Sequence, residues 1–427
     1  MANTGFQVKL HQNPWHDDGF LGLEFPSSWE VSVCTMEGQD RSKLTDEQMR
    51  AAFANPIGTT RLAELARGKN EVVIVFDDLA RPTKTYELVP YILEELKKGG
   101  VEDEDIRFIC GNAAHAPMKL PDFQKKIGPD ILRRFRVYNH NPYENCTYLG
   151  NTSRGTPVHI NSEVVACDLK ILVGDIMPHR LGGFSGGAKM ILPGVAHIDT
   201  ICVNHRDIAR ISEPSLGGPI HKFHPSVGYA KVDENVARLD MEEAARMAGV
   251  DFIVNAVVNL RRDTVALFIG DLVAAHRAGS EFACYHYASE LPDKADVVVV
   301  NSYAKANEAA IGVMTGPKFL KDAGGDFVVV ANTPDGQIWH YTHRSFGKTI
   351  GGRLHQNRTT LPRPARKMII LSSYMDRATA EWFGPSDKTI CVETWPEALA
   401  ELMKSNGPGT RVIVIPDATM QYFPSAS

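Results

Sequence analysis

The sequence predicts an α/β protein made of two α/β domains, each with a mostly parallel sheet. Three observations predict it. Short apolar runs rich in β-branched residues, such as Val72-Val73-Ile74-Val75-Phe76, are continuous rather than alternating, as in strands covered on both faces. These runs alternate with stretches of helical periodicity, the order expected of parallel strands joined by crossover helices. The 427 residues suffice for two or three domains at roughly 150 residues each.

In the first half the strand candidates are Val72 to Phe76, Phe108 to Cys110, Ile171 to Val173 and Phe252 to Val254. Tyr86 to Lys98 reads as an amphipathic helix, because Leu88, Ile92, Leu93 and Leu96 recur at three- and four-residue spacing. A second series begins near Ala295, with strand candidates Val297 to Val300, Phe327 to Val330, Met368 to Leu371 and Val412 to Ile415. Trp395 to Lys404 is a crossover helix between the last two. Leu272 to Ala288 reads as a helix that Leu291-Pro292-Asp293 terminates. This sets an N-terminal cofactor-binding and catalytic domain over 1–290 and a C-terminal α/β domain over 291–427, whose last strand is free to return to the first domain. Arg353 to Arg366 reads as a loop. An active site in a cleft between the domains is expected, since ligand sites favour domain interfaces.

With 43% hydrophobic and 23% charged residues, disordered and fibrous classes are excluded. No run reaches the ~18 apolar residues of a membrane span, and the first twenty residues lack the basic-then-apolar pattern of a secretory signal. A cytoplasmic protein with no membrane partner is expected. Forty-six Lys and Arg against 51 Asp and Glu, with the basic residues scattered, argue against nucleic acid. The 7 cysteines are widely spaced without a CxxC pair, so neither a disulfide framework nor a thiolate zinc site is indicated.

Candidate chemistry concentrates between Val173 and His205. A strand ends at Gly174-Asp175, and Gly182, Gly183, Gly186 and Gly187 then precede Lys189. Such a loop lets backbone amides crowd an anion while the lysine adds charge. A Walker loop requires Gly before the lysine and Ser or Thr after it, whereas Ala188 and Met190 stand here. Gly183 to Gly187 satisfies GxSxG and makes Ser185 a candidate nucleophile, although the strand ends several residues too early for a hydrolase elbow. His179 and His205 flank the loop, and His115 follows another strand candidate. Asp77-Asp78-Leu79-Ala80-Arg81-Pro82-Thr83 also follows a strand. Its carboxylates and arginine suit ribose hydroxyls and phosphate; alternatively Asp78 or Thr83 caps a helix with Pro82 in its first turn. His221 and His224 form HxxH, with His197 nearby, but the HExxH of zinc hydrolases is missing.

Taken together, these segments resemble the nickel-pincer-nucleotide-dependent lactate racemase family, which holds racemases and epimerases of 2-hydroxy acids. The resemblance rests on DDxxRP at Asp77 to Pro82, His115 followed by Ala-Pro-Met, HxxxGxSGGxKxxxPG from His179 to Gly194, and His205. It spans roughly Val72 to Ser280. It implies a nickel pyridinium-3,5-bisthiocarboxylic acid mononucleotide, the nickel-pincer nucleotide, tethered to Lys189. His205 is implied as the protein ligand to nickel, and His115 and His179 as the acid/base pair. Asp78, Arg81, Ser185, Gly186 and Gly187 are implied as contacts to cofactor or substrate, with maturation enzymes as partners.

The implied reaction is inversion at C2 of a small 2-hydroxy acid, through hydride transfer to the cofactor and a planar 2-keto acid. Direct removal of the α-proton beside a carboxylate faces a high barrier that hydride transfer avoids. Two imidazoles titrating near pH 6.5 then serve opposite enantiomers in turn. The pattern departs from lactate-specific members where Ile311 and Met314 replace a glutamine and a lysine. That departure points to a larger or differently polar acid, with Lys305, Asn307 or Glu308 as substitutes and Trp382 packing over the cofactor. The competing readings are a serine hydrolase using Ser185 and a non-catalytic nickel- or nucleotide-binding protein.

Overall fold

The computed structural model of the protein describes residues 5–213, 220–338, 340–342, 361–375 and 387–424. The chain forms two compact units. One comprises residues 40–286 together with 340–342; the other joins residues up to 39 with most of 287–427. Among the described residues no helix is long and apolar enough to cross a membrane.

The unit over 40–286 is built on a six-stranded sheet in the order Thr264–Gly270, Phe252–Val258, Leu169–Asp175, Val72–Phe76, Ile106–Cys110, Arg136–Asn139. All neighbours are parallel except the first pair. Every residue of Val72–Phe76 and Leu169–Asp175 is buried, which is why their sequences show no alternation. Helix Thr85–Lys98 buries Leu88, Val89, Ile92 and Leu96 against Val72, Ile74 and Phe76. Its C-terminal Lys97 and Lys98 complement the negative end of the helix dipole.

The second unit carries a six-stranded, all-parallel sheet ordered Thr389–Val392, Ala365–Leu371, Gly325–Val330, Val297–Asn301, Arg411–Ile415, Glu30–Val33. The last strand of the chain therefore stays in this sheet, and a strand from the N-terminal region comes to it. A hairpin of Phe6–His11 and Phe20–Phe25 belongs to the same unit, where Leu10, Leu23 and Phe25 enter its core. The α/β class with largely parallel sheets is as the apolar runs indicate.

Candidate functional site

Strand Val72–Phe76 has Ile106–Cys110 on one side and Leu169–Asp175 on the other, so the chain builds first towards one edge and later towards the opposite one. Such a reversal opens a crevice at the carboxyl ends of the strands, where open α/β sheets bind ligands. The three loops leaving these ends carry Asp77, Asp78 and Arg81, then His115, then His179 to Lys189. Fold topology thus gathers residues that lie far apart in sequence.

After the first strand the two adjacent carboxylates take different tasks. Asp78 Oδ2 lies 2.6 Å from His115 Nδ1, while its Oδ1 accepts the Ala80 amide at 3.0 Å. Asp77 is held by the Thr83 hydroxyl at 2.8 Å and the Lys126 ammonium at 2.6 Å. Burial pushes Asp77 up to about 6, with the Asp175 charge adding to the rise and Lys126 opposing it. The helix that follows starts at Thr85 with Lys84 as its cap, so neither Asp78 nor Thr83 caps it. Those side chains are instead engaged by His115 and Asp77. Arg81 turns a guanidinium N–H to the Ala80 carbonyl at 2.7 Å.

With the carboxylate of Asp78 accepting from Nδ1, the His115 ring is fixed in the tautomer that leaves Nε2 basic. His115 is buried, and its loop is locked to the lysine segment. The Ala113 amide donates to the Gly194 carbonyl at 2.9 Å, and the Gly194 amide donates to the Lys189 carbonyl at 2.9 Å.

The glycine loop is held from beneath by a buried arginine. Arg238 donates to the carbonyls of Gly182 at 3.1 Å and Gly186 at 3.1 Å, and also to that of Phe184. Burial lowers this guanidinium to about 10, which leaves it charged at neutral pH. Gly186 has φ +72°, and a Cβ there would fall 2.2 Å from the Asp175 carbonyl oxygen, so only glycine fits. Lys189 is 7% exposed. Its stem runs past Gly182, where a Cβ would lie 3.2 Å from Lys189 Cδ.

His179 sits in a tight turn of this loop, its Nδ1 accepting the amides of Leu181 at 3.2 Å and Gly182 at 3.1 Å. That bonding places the ring proton on Nε2. His205 lies half-buried on a π-helical turn, Val203–Ile208, a wide geometry often found at functional sites. Helix Val236–Met247 contacts both this turn and the lysine segment. A residue that the sequence did not single out joins the group. The His340 ring packs edge-on against His115 with centroids 4.8 Å apart, and the Thr342 hydroxyl lies 2.6 Å from His340 Nδ1. No local pattern marks it.

Ser185 is 3% exposed and turned into the scaffold. Its hydroxyl donates to Asp175, and its Oγ accepts the Met177 amide at 2.9 Å. His276 bonds the Ser185 carbonyl, not its hydroxyl, and burial holds that imidazole well below its ordinary range. A hydrolase nucleophile needs a base at its oxygen, and the hydrogen bonds of this hydroxyl include no histidine. The Gly187 amide is likewise engaged, donating to Asn255 at 2.9 Å. In the other unit, Lys305 is buried, Ile311 is half-buried and Met314 is exposed. Trp382 and most of the loop expected at 353–366 lie outside the described residues.

A tethered metal-bearing nucleotide agrees with the donor set. Among the described residues no three His, Cys, Asp or Glu side chains converge as a metal cage. A metal resting on His205 would therefore draw most of its ligands from an organic group, and imidazole suits nickel as a borderline donor. Lys189, almost enclosed on a loop whose carbonyls are drawn towards Arg238, would be the attachment point of such a group.

Residues 16–216 match the family model of the lactate racemase N-terminal domain. The lactate racemase of Thermoanaerobacterium thermosaccharolyticum is 29% identical over 309 residues, covering 70% of this chain and 68% of that protein. The lactate racemase of Lactiplantibacillus plantarum is 29% identical over 302 residues, covering 69% and 68%. Among solved structures, the lactate racemase apoprotein from Thermoanaerobacterium thermosaccharolyticum aligns with 98% of this chain and 100% of its own at a TM-score of 0.74 and 22% identity. A protein from Thermotoga maritima aligns with 90% and 100% at a TM-score of 0.62 and 16% identity. These two share the fold. The family-model match runs through the Asp78, His115 and Lys189 loops, and across them the chain is similar to lactate racemases.

Proposed function

We propose that this protein is a cytoplasmic isomerase that inverts C2 of a 2-hydroxy acid by proton-coupled hydride transfer, with a 2-keto acid as the transient species. The observation that carries the reading is the Asp78–His115 couple, joined by two backbone hydrogen bonds to the Lys189 segment at the switch point of the sheet. When bound to Lys189, a nickel-pincer nucleotide supplies the hydride acceptor.

The chain's own residues supply the rest. Lys189 is the anchor and His205 the protein ligand to the metal. His115 Nε2 takes the hydroxyl proton from one enantiomer, and Asp78 steadies the imidazolium that results. His179 is the partner for the other enantiomer, with its ring oriented by the amides of Leu181 and Gly182. Arg81, beside Asp78, suits a planar carboxylate. Gly186 and Gly187 let the loop lie close to the nucleotide, while Ser185 fixes the loop through Asp175. A serine hydrolase would require a base that Ser185 does not touch.

The test is co-expression with cofactor-maturation enzymes, followed by chiral chromatography of a panel of 2-hydroxy acids. Inversion of at least one acid, dependent on a Lys189 adduct seen by intact mass, supports the reading. An adduct-bearing protein that inverts none of them refutes it.

A further inference from the structure

The π-helical turn that carries His205 is fixed through the residue before it. The Asn204 carbonyl accepts the Ala209 amide at 3.0 Å, the i to i+5 hydrogen bond that makes the turn wide. The Asn204 side chain is fully buried, and its amide nitrogen donates to the Ala237 carbonyl at 3.1 Å and to Asp240 Oδ2 at 2.8 Å. A carbonyl and a carboxylate can only accept, so the side-chain amide has one orientation and both of its N–H groups are used. Asn204 thus closes the turn by its main chain and moors it to helix Val236–Met247 by its side chain.

Asp240 is buried and held in turn from a third segment. Its Oδ1 accepts the Thr152 hydroxyl at 2.6 Å, and its Oδ2 accepts the Thr156 hydroxyl at 2.8 Å. The Thr152 oxygen also accepts the Thr156 amide at 3.1 Å, which closes the loop presenting both threonines. Hydrogen bonds to an ionised acceptor are roughly twice as strong as neutral ones, so the mooring point is stiff.

The same helix grips the tether loop. Asn235 caps it through the amides of Ala237 and Arg238 at 3.0 and 3.1 Å, and also donates to the Leu181 carbonyl at 2.9 Å. Arg238 holds the carbonyls of Gly182, Phe184 and Gly186. Residues 235 and 238 therefore hold the loop of His179 and Lys189, while 237 and 240 hold the turn of His205. All four lie within about 8 Å along one helix axis, a span that the helical hydrogen bonds keep constant.

We propose that Asn204 and Asp240 are positioning residues for the metal centre: they lock the π-helical turn to the helix that holds the Lys189 loop, and so set His205 against a nickel carried on that lysine. The inference rests on the reading of Lys189 as anchor and His205 as ligand, and adds two residues that act only through His205.

The experiment uses Asn204→Leu, which removes the mooring while Asp240 keeps both threonine hydroxyls, and Thr152→Val, which weakens the same buried cluster without removing a partner of Asn204. Asn204→Ser takes the place of the leucine variant if that protein does not fold. After co-expression with maturation enzymes, intact mass reports the Lys189 adduct, and atomic absorption reports nickel per adduct after dialysis against EDTA. The Asn204 variant should keep the adduct but retain at least about 10-fold less nickel than the parent, as when a partner that orients a metal ligand is lost. Thr152→Val should stay within about threefold of the parent. Hydrogen exchange in the unmatured chain reads the same mooring without cofactor: the amides of residues 203–209 should exchange about 10-fold faster in the Asn204 variant and not in Thr152→Val. Parental nickel retention in the Asn204 variant overturns the proposal. An equal loss in both variants also overturns it, because the cluster would then be merely structural. If the parent itself carries neither adduct nor nickel, the Lys189 reading fails and hydrogen exchange decides: faster exchange at 203–209 leaves the mooring standing, and unchanged exchange overturns it as well.

Discussion

Asp78 Oδ2 and His115 Nδ1 lie 2.6 Å apart, with both side chains buried at the carboxyl ends of neighbouring parallel strands. A carboxylate in this position fixes both the tautomer and the plane of the ring. Asp78→Asn keeps the shape but offers an amide that is able to donate to Nδ1, turning the basic nitrogen inward. Racemisation by the matured enzyme should fall about 100-fold, as when an orienting partner of a functional histidine is lost. Retention of the Lys189 adduct by intact mass would assign that loss to chemistry. A fall of less than about threefold would mean that Asp78 does not orient the base.

Lys189 is nearly enclosed, so its side chain is shielded from bulk reagents. Protein co-expressed with maturation enzymes should carry a single covalent mass increase, mapping to the peptide that holds Lys189. Lys189→Arg keeps the charge but lacks the acylable amine, and should carry no adduct. An adduct found on another lysine would remove the tether from this loop.

How much of this was legible depends on where the information sits. Val72–Phe76 was readable because burial on both faces makes every residue apolar. The neighbouring strand begins at Ile106, two residues before the expected start, because Arg107 reaches out to Glu71 and Glu163 and breaks the apolar run. Glu30–Val33 was missed because it is short and largely exposed, and its partner Arg411–Ile415 lies at the other end of the chain. In the site, Asp78, His115 and Lys189 stand in local motifs. Arg238 and His340 do not; their roles arise from contacts across more than fifty positions, which no spacing rule reports.

The buried guanidinium of Arg238 is what shapes the glycine loop. Arg238→Met would fill similar space yet remove the charged donor from the carbonyls of Gly182, Phe184 and Gly186, of which Gly182 and Gly186 keep the amides of Phe184 and Lys189. Hydrogen bonds to a charged group contribute about 1.5–3 kcal/mol each, so losing these is expected to cost about 3 kcal/mol in urea unfolding. A loss below about 1 kcal/mol would show that the loop holds itself.

Acid stability tests the buried imidazoles. His286 bonds the Val258 carbonyl at 2.9 Å, and burial, with help from Arg41, lowers it to about 4. In the unfolded chain a histidine protonates near 6.5. Between these values the unfolded state binds the extra proton, so stability present above pH 6.5 is lost as the pH falls towards 4. At pH 5 this one group should cost about 2 kcal/mol relative to pH 7. Asp77 and Asp417, both raised to about 6 by burial, act with the opposite sign below that pH, so the comparison must be between variants. His286→Gln still has an N–H for Val258 but cannot titrate. Its denaturation free energy should therefore drop less between pH 7 and pH 5, by about 2 kcal/mol, than that of the parent. Identical drops in the two proteins would mean that His286 already holds its proton in the folded state.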